Sequence, residues 1–311
     1  MVAVPPLAPA APLPALLIEA FAERPLAGNG AAVVLLDRPA SDTWLQGVAT
    51  SLRQSETAFL LAGPGGAWGL RWFTPTCEVP LCGHATLAAT LALGHWGLLG
   101  PGEATRLHSR SGPLAVELLA EPGAAAIVLP SSPLIPSTAS PELLAYLQQQ
   151  LGAAPEGCWQ SALGYRVVLL PPRAPLEAAP LPAQSLPAEA WPGLVLMQRI
   201  GGDGAAAERR PLVLAEPCDY QLRFLAPGLG IDEDPVTGSA HALVAPWWQE
   251  QLGRSQVRGW QCSDRPGGMV CEAVSSGMIR LIGAGHLLWD GTLQPGFPAL
   301  CAWDDLLSTG S

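Results

Sequence analysis

Three neighbouring residues, Cys82-Gly83-His84, stand just before an alanine- and leucine-rich run. A thiol beside an imidazole suits a nucleophile with its base, two ligands of a metal ion, or the polar start of a buried helix. The sequence shows no further ligand at the spacing of a zinc site, so we expect no bound metal. Neighbours at a helix start point in different directions, which disfavours the nucleophile pair. A purely structural helix start is the simplest interpretation, and the chemical ones stay open.

A second polar stretch, DEDPVTGSAH, runs from Asp232 to His241. It places acidic residues before a proline and then Thr237-Gly238-Ser239, which repeats the glycine-centred pattern of the first stretch. Asp232 and Glu233 are interpreted as exposed residues that cap a helix N-terminus, where negative charge is favourable. Asp234 stands nearer the glycine turn and is a candidate site residue.

A third candidate is Glu56 in the stretch SETAF, where a carboxylate stands between Ser55 and Thr57 at the start of the apolar run 58–61. Burial beside apolar residues disfavours the charged carboxylate, so we expect a raised pKa at Glu56. A pKa closer to neutrality suits a general acid/base. The alternative is a solvated glutamate at the start of a strand.

The two glycine-centred stretches belong to longer segments that look alike. The first reads LRWFTPTCEVPLCGHATLAATLA from Leu70, and the second reads LRFLAPGLGIDEDPVTGSAHALVA from Leu222. With a three-residue insertion in the second, the alignment pairs Arg71 with Arg223, Trp72 with Phe224, and Gly83 with Gly238. The similarity indicates an internal duplication.

Each segment ends in a run that predicts a helix, over residues 84–95 and 239–252. Both runs are apolar on nearly all faces, which is typical of a buried helix. A helix N-terminus presents unpaired N–H groups and partial positive charge, which suit a carboxylate or a developing oxyanion. If the halves are related by a pseudo-twofold axis, the helix starts face each other across one site. Gly83 and Gly238 would then let a substrate approach the backbone.

Short runs rich in Val, Ile and Leu predict strands around these helices, at 31–36, 114–119, 125–130, 165–170, 194–197 and 279–282. The expected class is α+β, with two similar halves in which a sheet surrounds a central helix. A Pro/Ser-rich segment over 130–141 marks the boundary between the halves. We expect a disordered lead-in over 1–15, an N-terminal half over 16–128, a C-terminal half over 129–294, and a tail over 295–311 that could return to the N-terminal half.

The composition excludes several kinds of chemistry. All 16 basic residues are arginines, so the chain lacks the lysine that a pyridoxal-phosphate enzyme, a Walker A loop or Schiff-base catalysis requires. A net charge of -10 without a basic cluster argues against nucleic-acid binding. The apolar runs are too short for a membrane helix, and the N-terminus lacks the pattern of a signal peptide. We expect a cytoplasmic protein that binds neither nucleic acid nor membrane.

Several stretches together resemble the PhzF-like phenazine biosynthesis family, which shares the diaminopimelate epimerase fold. They keep their order along nearly the whole chain: RPLAGNGAAVVLLD (24–37), SETAF (55–59), CGHATLA (82–88), SGPL (111–114) and DEDPVTGSAH (232–241). The resemblance implies two pseudo-symmetric domains, each with a curled, mostly antiparallel β-sheet around a central α-helix, and a homodimer. It also implies catalysis without cofactor or metal, in agreement with the missing lysine.

The resemblance implies roles for particular residues. The family's best-known member isomerises a dihydro-hydroxyanthranilate with a glutamate that moves a proton, and the matching residue here is Glu56. The related epimerases use two cysteines at the two helix starts, whereas this sequence has Cys82 and Thr237 at those positions. The residues that the resemblance assigns to substrate binding are His84, Asp234, Ser239, Gly83 and Gly238.

These observations favour a cofactor-independent isomerase that moves a proton within a small carboxylate substrate, with Glu56 as acid/base and Cys82 and Thr237 as wall residues. Two alternatives stay open: a ligand-binding or regulatory protein that keeps the site without catalysis, and a cofactor-independent racemase or epimerase that uses Cys82. Arg53 stands where the family often has an apolar or amide residue, and it could contact a substrate anion or lie in solvent. The sequence does not name the substrate.

Overall fold

The computed structural model describes residues 11–186, 192–201, 210–275 and 277–294. Within these residues the chain has a mixed α/β fold that is rich in strands, with four α-helices and eighteen β-strands. The predicted tail and most of the predicted lead-in lie outside the described residues. None of the described helices is long and apolar enough to cross a membrane.

The helices are separated by runs of strands, and every predicted strand run lies on an observed strand. Up to residue 130 the elements are β1 (Leu13–Ala20), β2 (Asn29–Leu36), α1 (Asp42–Leu52), β3 (Glu56–Ala62), β4 (Trp68–Phe73), β5 (Glu78–Val79), α2 (Gly83–His95), β6 (Ala104–Ser109), β7 (Gly112–Leu118) and β8 (Ala124–Pro130). The later elements are β9 (Ile135–Pro136), α3 (Pro141–Leu151), β10 (Gly157–Gln160), β11 (Tyr165–Leu170), β12 (Gly193–Arg199), β13 (Leu212–Val213), β14 (Glu216–Pro217), β15 (Tyr220–Leu225), α4 (Gly238–Leu252), β16 (Gln256–Gln261), β17 (Gly267–Ser275) and β18 (Met278–Leu293).

A closed ring of strands surrounds α2. The pairing runs from β1 through β2, β3, β4, β6, β7 and β8 to β18, and the C-terminal part of β18 returns to β1. The helix contacts strands on several sides of this ring, and its residues 84–93 are all buried. Because alanine, leucine and threonine dominate every face of α2, the helix is stable only inside such a shell. The predicted buried helix over 84–95 is confirmed.

The second long part of the sheet packs on α4. From β18 the pairing continues through β17, β16, β15, β12, β11 and β10 to β9. α4 contacts β16, β17, β18 and β8, which confirms the predicted helix over 239–252. In β18, Leu281 lies between Cys271 of β17 and Ile127 of β8. Because β18 pairs with strands on both sides, the predicted division of the chain at 128/129 stays a prediction.

The start of the fold differs from the prediction. We expected a lead-in up to residue 15, whereas β1 begins at Leu13. Leu13 pairs with Leu293 of β18, and Ala15 pairs with Val34 of β2. Leu13 and Ala15 are both buried in an apolar cluster that includes residues of α1. The partners that order these residues are distant in sequence, so the Pro/Ala-rich composition did not reveal the strand.

The two matched segments form the same ion pair. On β4, Arg71 donates two hydrogen bonds of 2.7 Å to the carboxylate of Glu78. On β15, Arg223 donates two hydrogen bonds of 2.8 and 2.5 Å to Glu233. Glu233 is therefore not the exposed helix cap that we predicted, because the Arg223 guanidinium holds it half-buried, whereas Asp232 is exposed. In each copy the ion pair fixes the loop that leads into the buried helix.

Candidate active site

The first residues of α2 and α4 lie against each other. A Cβ atom on Gly83 would lie 3.3 Å from the Gly238 Cα atom, and a Cβ atom on Gly238 would lie 3.4 Å from the Gly83 Cα atom. The Leu129 side chain fills the same point, 3.1 Å from the Cβ position of Gly83. Glycine thus allows the two helix starts to meet. We also expected these glycines to let a substrate approach the backbone, and that stays a prediction.

Glu56 and His84 form an ion pair beside the helix starts. Glu56 is the first residue of β3, and His84 is the second residue of α2. The Nε2 atom of His84 lies 3.1 Å from the Oε2 atom of Glu56. The imidazole is buried, whereas 17% of the glutamate side chain is exposed. The ring is therefore held by the protein, while the glutamate side chain is half-buried and its Oε2 atom is covered.

The ion pair sets the protonation of both groups. Burial raises the pKa of Glu56, but the charge and hydrogen bond of His84, together with Cys82 and Ser55, lower it more, so the pKa lies below its ordinary value. Burial also disfavours the charged form of His84, but Cys82 and Glu56 raise the pKa of the imidazole well above its ordinary value. The expected raised pKa of Glu56 is therefore wrong for this arrangement, because the ion pair outweighs desolvation.

Cys82 is the N-cap residue of α2, and its sulfur lies 3.5 Å from Nδ1 of His84. Burial, reinforced by the negative charge of Glu56, raises the pKa of the thiol to about 11. Such a thiol is protonated near neutral pH, so it is neither a nucleophile nor a base there. The negative charge that stabilises the imidazolium near neutral pH is therefore that of Glu56.

Three potential metal ligands, Glu56, Cys82 and His84, lie together at this point. The sequence shows no third ligand at the spacing of a zinc site, and the fold supplies one in Glu56. However, the carboxylate faces Nε2 of the imidazole, whereas the sulfur lies nearer Nδ1, at 3.5 Å, than Nε2, at 4.0 Å. A single ion binds one ring nitrogen, so this arrangement fits a hydrogen-bonded cluster better than a coordination site.

Asn29 links the two matched segments. Its Nδ2 atom donates to Oδ1 of Asp234 at 2.7 Å and to the carbonyl oxygen of Val236 at 3.1 Å. Its Oδ1 atom accepts a hydrogen bond of 2.8 Å from the Ser55 hydroxyl. The same Nδ2 atom lies 3.2 Å from Nδ1 of His84. Asn29 therefore holds Asp234, from the second segment, next to the imidazole of the first.

Asp234 is held from its other side as well. The Thr237 hydroxyl donates to Oδ2 of Asp234 at 2.5 Å, and the Gln261 side chain donates to the Asp234 carbonyl oxygen. Burial raises the pKa of Asp234, although the charge of His84 and two hydrogen bonds oppose the shift. The pKa values of Asp234 and Glu56 are thus displaced in opposite directions.

The start of α4 mirrors that of α2. Ser239 is the second residue of α4, as His84 is of α2, and Thr237 is the N-cap residue, as Cys82 is. Both N-cap residues have extended backbone, with φ of -143° and -115°, and neither makes a side-chain capping hydrogen bond. The first N–H groups of both helices therefore lack an N-cap side-chain partner. Burial raises the pKa of the nearby Tyr165 phenol, Ser239 opposes that shift, and the negative charge of Asp234 adds to it.

The structure brings all the predicted site residues to the meeting point of α2 and α4. Arg53 ends α1 in a left-handed conformation with φ of 53° and is exposed, so its side chain is not part of this hydrogen-bonded network. We did not predict Asn29, Gln261 or Tyr165 from the sequence. Asn29 had a signal, since it is the only asparagine in the sequence and lies in a stretch that resembles the family. Gln261 and Tyr165 had none, because their place depends on strand pairing.

Comparison with known proteins identifies the family. The model of a family described as phenazine biosynthesis-like protein, PhzC-PhzF, matches residues 18–162 and 196–282. The chain belongs to the PhzC-PhzF family. The PhzC-PhzF match includes the segments that carry Glu56, His84, Asp234 and Ser239.

Individual relatives cover nearly the whole chain. An uncharacterized isomerase of Pseudomonas aeruginosa is 36% identical over 277 residues, which cover 85% of this chain and 97% of that protein. A human phenazine biosynthesis-like domain-containing protein is 31% identical over 297 residues, which cover 90% and 99%. The crystal structure of a PhzF-family protein from Enterococcus faecalis matches with a TM-score of 0.77 at 28% identity, covering 91% and 99%.

Proposed function

We propose that this protein is a cofactor-independent isomerase that moves a proton within a small carboxylate-bearing substrate, with Glu56 as acid/base. The observation that carries the proposal is the ion pair between the half-buried Glu56 carboxylate and the buried His84, beside two facing helix starts. Membership of the PhzC-PhzF family and relatives named as isomerases support an isomerase- or epimerase-type reaction.

Glu56 begins the reaction as a carboxylate, because His84 lowers its pKa. A substrate group that accepts a hydrogen bond from the imidazolium competes with Glu56 for His84. Because His84 then lowers the pKa of Glu56 less, the effect of burial prevails, the pKa rises and the carboxylate becomes a stronger base. Glu56 takes a proton from one carbon of the substrate and returns it to another carbon, so the reaction consumes no external acid.

Negative charge develops on the substrate when a carbon loses its proton. The His84 imidazolium, kept charged by its raised pKa, stabilises that charge. The substrate carboxylate binds at the N–H groups that begin α2 and α4. Asp234 holds an amino or hydroxyl group of the substrate, and Ser239 hydrogen-bonds the anion. The chemistry therefore uses one base and several fixed donors.

A two-base racemase fits these residues less well. That reaction needs an acid and a base on opposite faces of one carbon, and the position that matches Cys82 in the second segment is Thr237. The hydroxyl of a threonine is not a base near neutral pH, and the pKa of Cys82 is about 11. Proton transfer by Glu56 alone requires neither residue to ionise.

Solvent-deuterium exchange tests the proposal without a known substrate. Purified protein is incubated in D2O with a metabolite extract, and mass spectrometry identifies carboxylates that gain deuterium or are isomerised. Glu56→Gln removes the base and keeps the shape of the side chain, so we expect exchange to fall by about 100-fold or more. The control is Glu250→Gln, an exposed position on α4. Retained exchange in Glu56→Gln, with loss in Cys82→Ala, would favour the racemase instead.

The proposal also covers the domain arrangement and the assembly of the protein. The family resemblance supports two pseudo-symmetric domains, each with a sheet around a central helix, and a homodimer. Matched ion pairs at Arg71–Glu78 and Arg223–Glu233 support the duplication that such domains imply. Light scattering during size-exclusion chromatography measures the mass of the assembly.

A further inference from the structure

The turn that leads into Asn29 has an unusual backbone. Leu26 and Gly28 have φ of 65° and 70°, in the left-handed region that favours glycine. A Cβ atom on Gly28 would lie 2.5 Å from the carbonyl oxygen of Ala20, so only glycine fits there. A backbone of this kind persists only where its surroundings hold it. The contacts that hold residues 26–28 therefore also set the place of Asn29.

These contacts come from Glu19 of β1 and from the loop between β16 and β17. One guanidinium nitrogen of Arg265 forms an ion pair with Glu19, and the Nε atom donates to the Gly28 carbonyl oxygen at 3.3 Å. The N–H group of Gly28 donates to the Pro266 carbonyl oxygen at 3.1 Å. The second carboxylate oxygen of Glu19 accepts a hydrogen bond from the N–H group of Leu26. Glu19 and Arg265 together therefore hold both ends of the turn.

The same loop holds the segment that carries Asp234. The Ser263 hydroxyl donates to the Pro235 carbonyl oxygen at 2.8 Å. The backbone N–H group of Arg265 donates to the hydroxyl oxygen of Ser263 at 3.2 Å. The loop therefore contacts the segments on both sides of the hydrogen bond between Asn29 and Asp234.

The ion pair between Glu19 and Arg265 is buried on one side only. The Glu19 side chain is 2% exposed, whereas that of Arg265 is 45% exposed. A buried carboxylate is costly unless it is paired, so loss of the guanidinium would leave an uncompensated charge at Glu19. Solvation of that charge by water would disrupt the contacts of the turn.

We propose that Arg265 and Glu19 are positioning residues, which act on the site through Asn29. Among the described residues, no hydrogen bond joins either of them to His84 or Asp234. Their ion pair fixes the backbone before Asn29, and the Asn29 amide in turn lies between the imidazole and the Asp234 carboxylate. The inference rests on the proposed function only where it predicts an effect on proton exchange.

Carbon-13 NMR of the aspartate carboxyl groups tests this role without a substrate. The Asn29 amide lowers the pKa of Asp234 against the effect of burial. Arg265→Leu removes the guanidinium, so we expect a weaker hydrogen bond from Asn29 and a titration midpoint of Asp234 about half a pH unit higher. Arg265→Lys keeps the positive charge and should move the midpoint less.

The control is Arg254→Leu, because Arg254 is also an exposed arginine paired with a less exposed carboxylate, that of Asp219, at 2.9 Å. Both leucine variants should lower the urea midpoint, but only Arg265→Leu should shift the Asp234 titration and lose about tenfold in deuterium exchange. If Arg265→Leu does not fold, Glu19→Gln gives the same test and should also raise the Asp234 midpoint.

Three results would overturn the proposal: an unchanged Asp234 titration in Arg265→Leu or its substitute Glu19→Gln, an equal shift in Arg254→Leu, or a shift in Arg265→Lys as large as in Arg265→Leu. The exchange assay separates these outcomes from the proposed function. That function fails if the wild type catalyses no exchange, whatever the Asp234 titration shows.

Discussion

Replacing Asn29 by leucine should both destabilise the protein and separate the two sides of the site. Asn29 is buried, and its amide donates to Asp234 at 2.7 Å and to the Val236 carbonyl at 3.1 Å. Leucine has similar size and no donor, so it leaves two buried acceptors unpaired. Each unpaired acceptor costs about 1 to 3 kcal/mol, so we expect the free energy of unfolding to fall by about 2 to 6 kcal/mol.

Urea denaturation measures the loss of stability from Asn29→Leu. A slope of about 3 kcal/mol per molar urea converts a loss of about 3 kcal/mol into a midpoint shift of about 1 M. The matched control is Gln198→Leu, because the buried Gln198 amide also donates to two carbonyl oxygens, at 2.7 and 2.9 Å, within a different part of the core. Both variants should lose stability, but only Asn29→Leu should lose deuterium exchange.

A second consequence of Asn29→Leu concerns Asp234. The amide of Asn29 lowers the pKa of Asp234, against the larger effect of burial. Without that hydrogen bond the pKa of Asp234 should rise further, which carbon-13 NMR of the aspartate carboxyl can follow. Asn29→Leu with an unchanged urea midpoint, an unchanged Asp234 titration and full exchange would refute the role of Asn29 as the link between the segments.

Three further predictions concern the ion pair and the helix starts. Glu56→Gln should lower the pKa of His84, since burial is then less opposed, and NMR titration should show it; an unchanged His84 pKa would contradict the ion pair. In the wild type, the stability that Glu56 contributes is lost as the pH falls through its lowered pKa. The stability that His84 contributes is lost as the pH rises through its raised pKa. The wild type should therefore exceed Glu56→Gln in stability most between these two pKa values. Gly83→Ala should destabilise by about 1 to 3 kcal/mol because its Cβ atom crowds Gly238, whereas Gly47→Ala, with open space on α1, should be neutral or slightly stabilising in thermal melts. Equal melting temperatures for these two variants would contradict the close contact of α2 and α4.

Local patterns predicted the two buried helices and six strand runs, because the causes of these elements are local, whereas α1 and α3 were not predicted. The run from 84 to 95 is apolar on every face, and that property alone requires burial of the helix. The strand at the start of the chain was different. Leu13 is ordered by Leu293, at the far end of the chain, and no pattern within the first residues contains that partner. Pairings of this kind follow from the closed ring of strands and not from local composition.

The same distinction applies to the site. The residue types and glycine spacing marked His84 and Ser239 correctly as neighbours of the helix starts, but the direction of the pKa shift at Glu56 was wrong. We considered burial, which the apolar run after Glu56 indicates, and could not see the imidazole that opposes it. A pKa in a site depends on the sum of desolvation and nearby charge, and at Glu56 the charge that opposes burial belongs to His84, which lies on another element.

The duplication itself explains why one base is a better description of this site than two. Both copies keep the arginine–glutamate pair and the glycine that lets the helices meet, so the parts that build the site are alike. The parts that do chemistry are not: α2 begins with a thiol and an imidazole, whereas α4 begins with two hydroxyls. Hydroxyls donate hydrogen bonds without ionising near neutral pH. Under the proposed function, the first copy therefore supplies the proton transfer, through His84 and its partner Glu56, and the second copy supplies recognition.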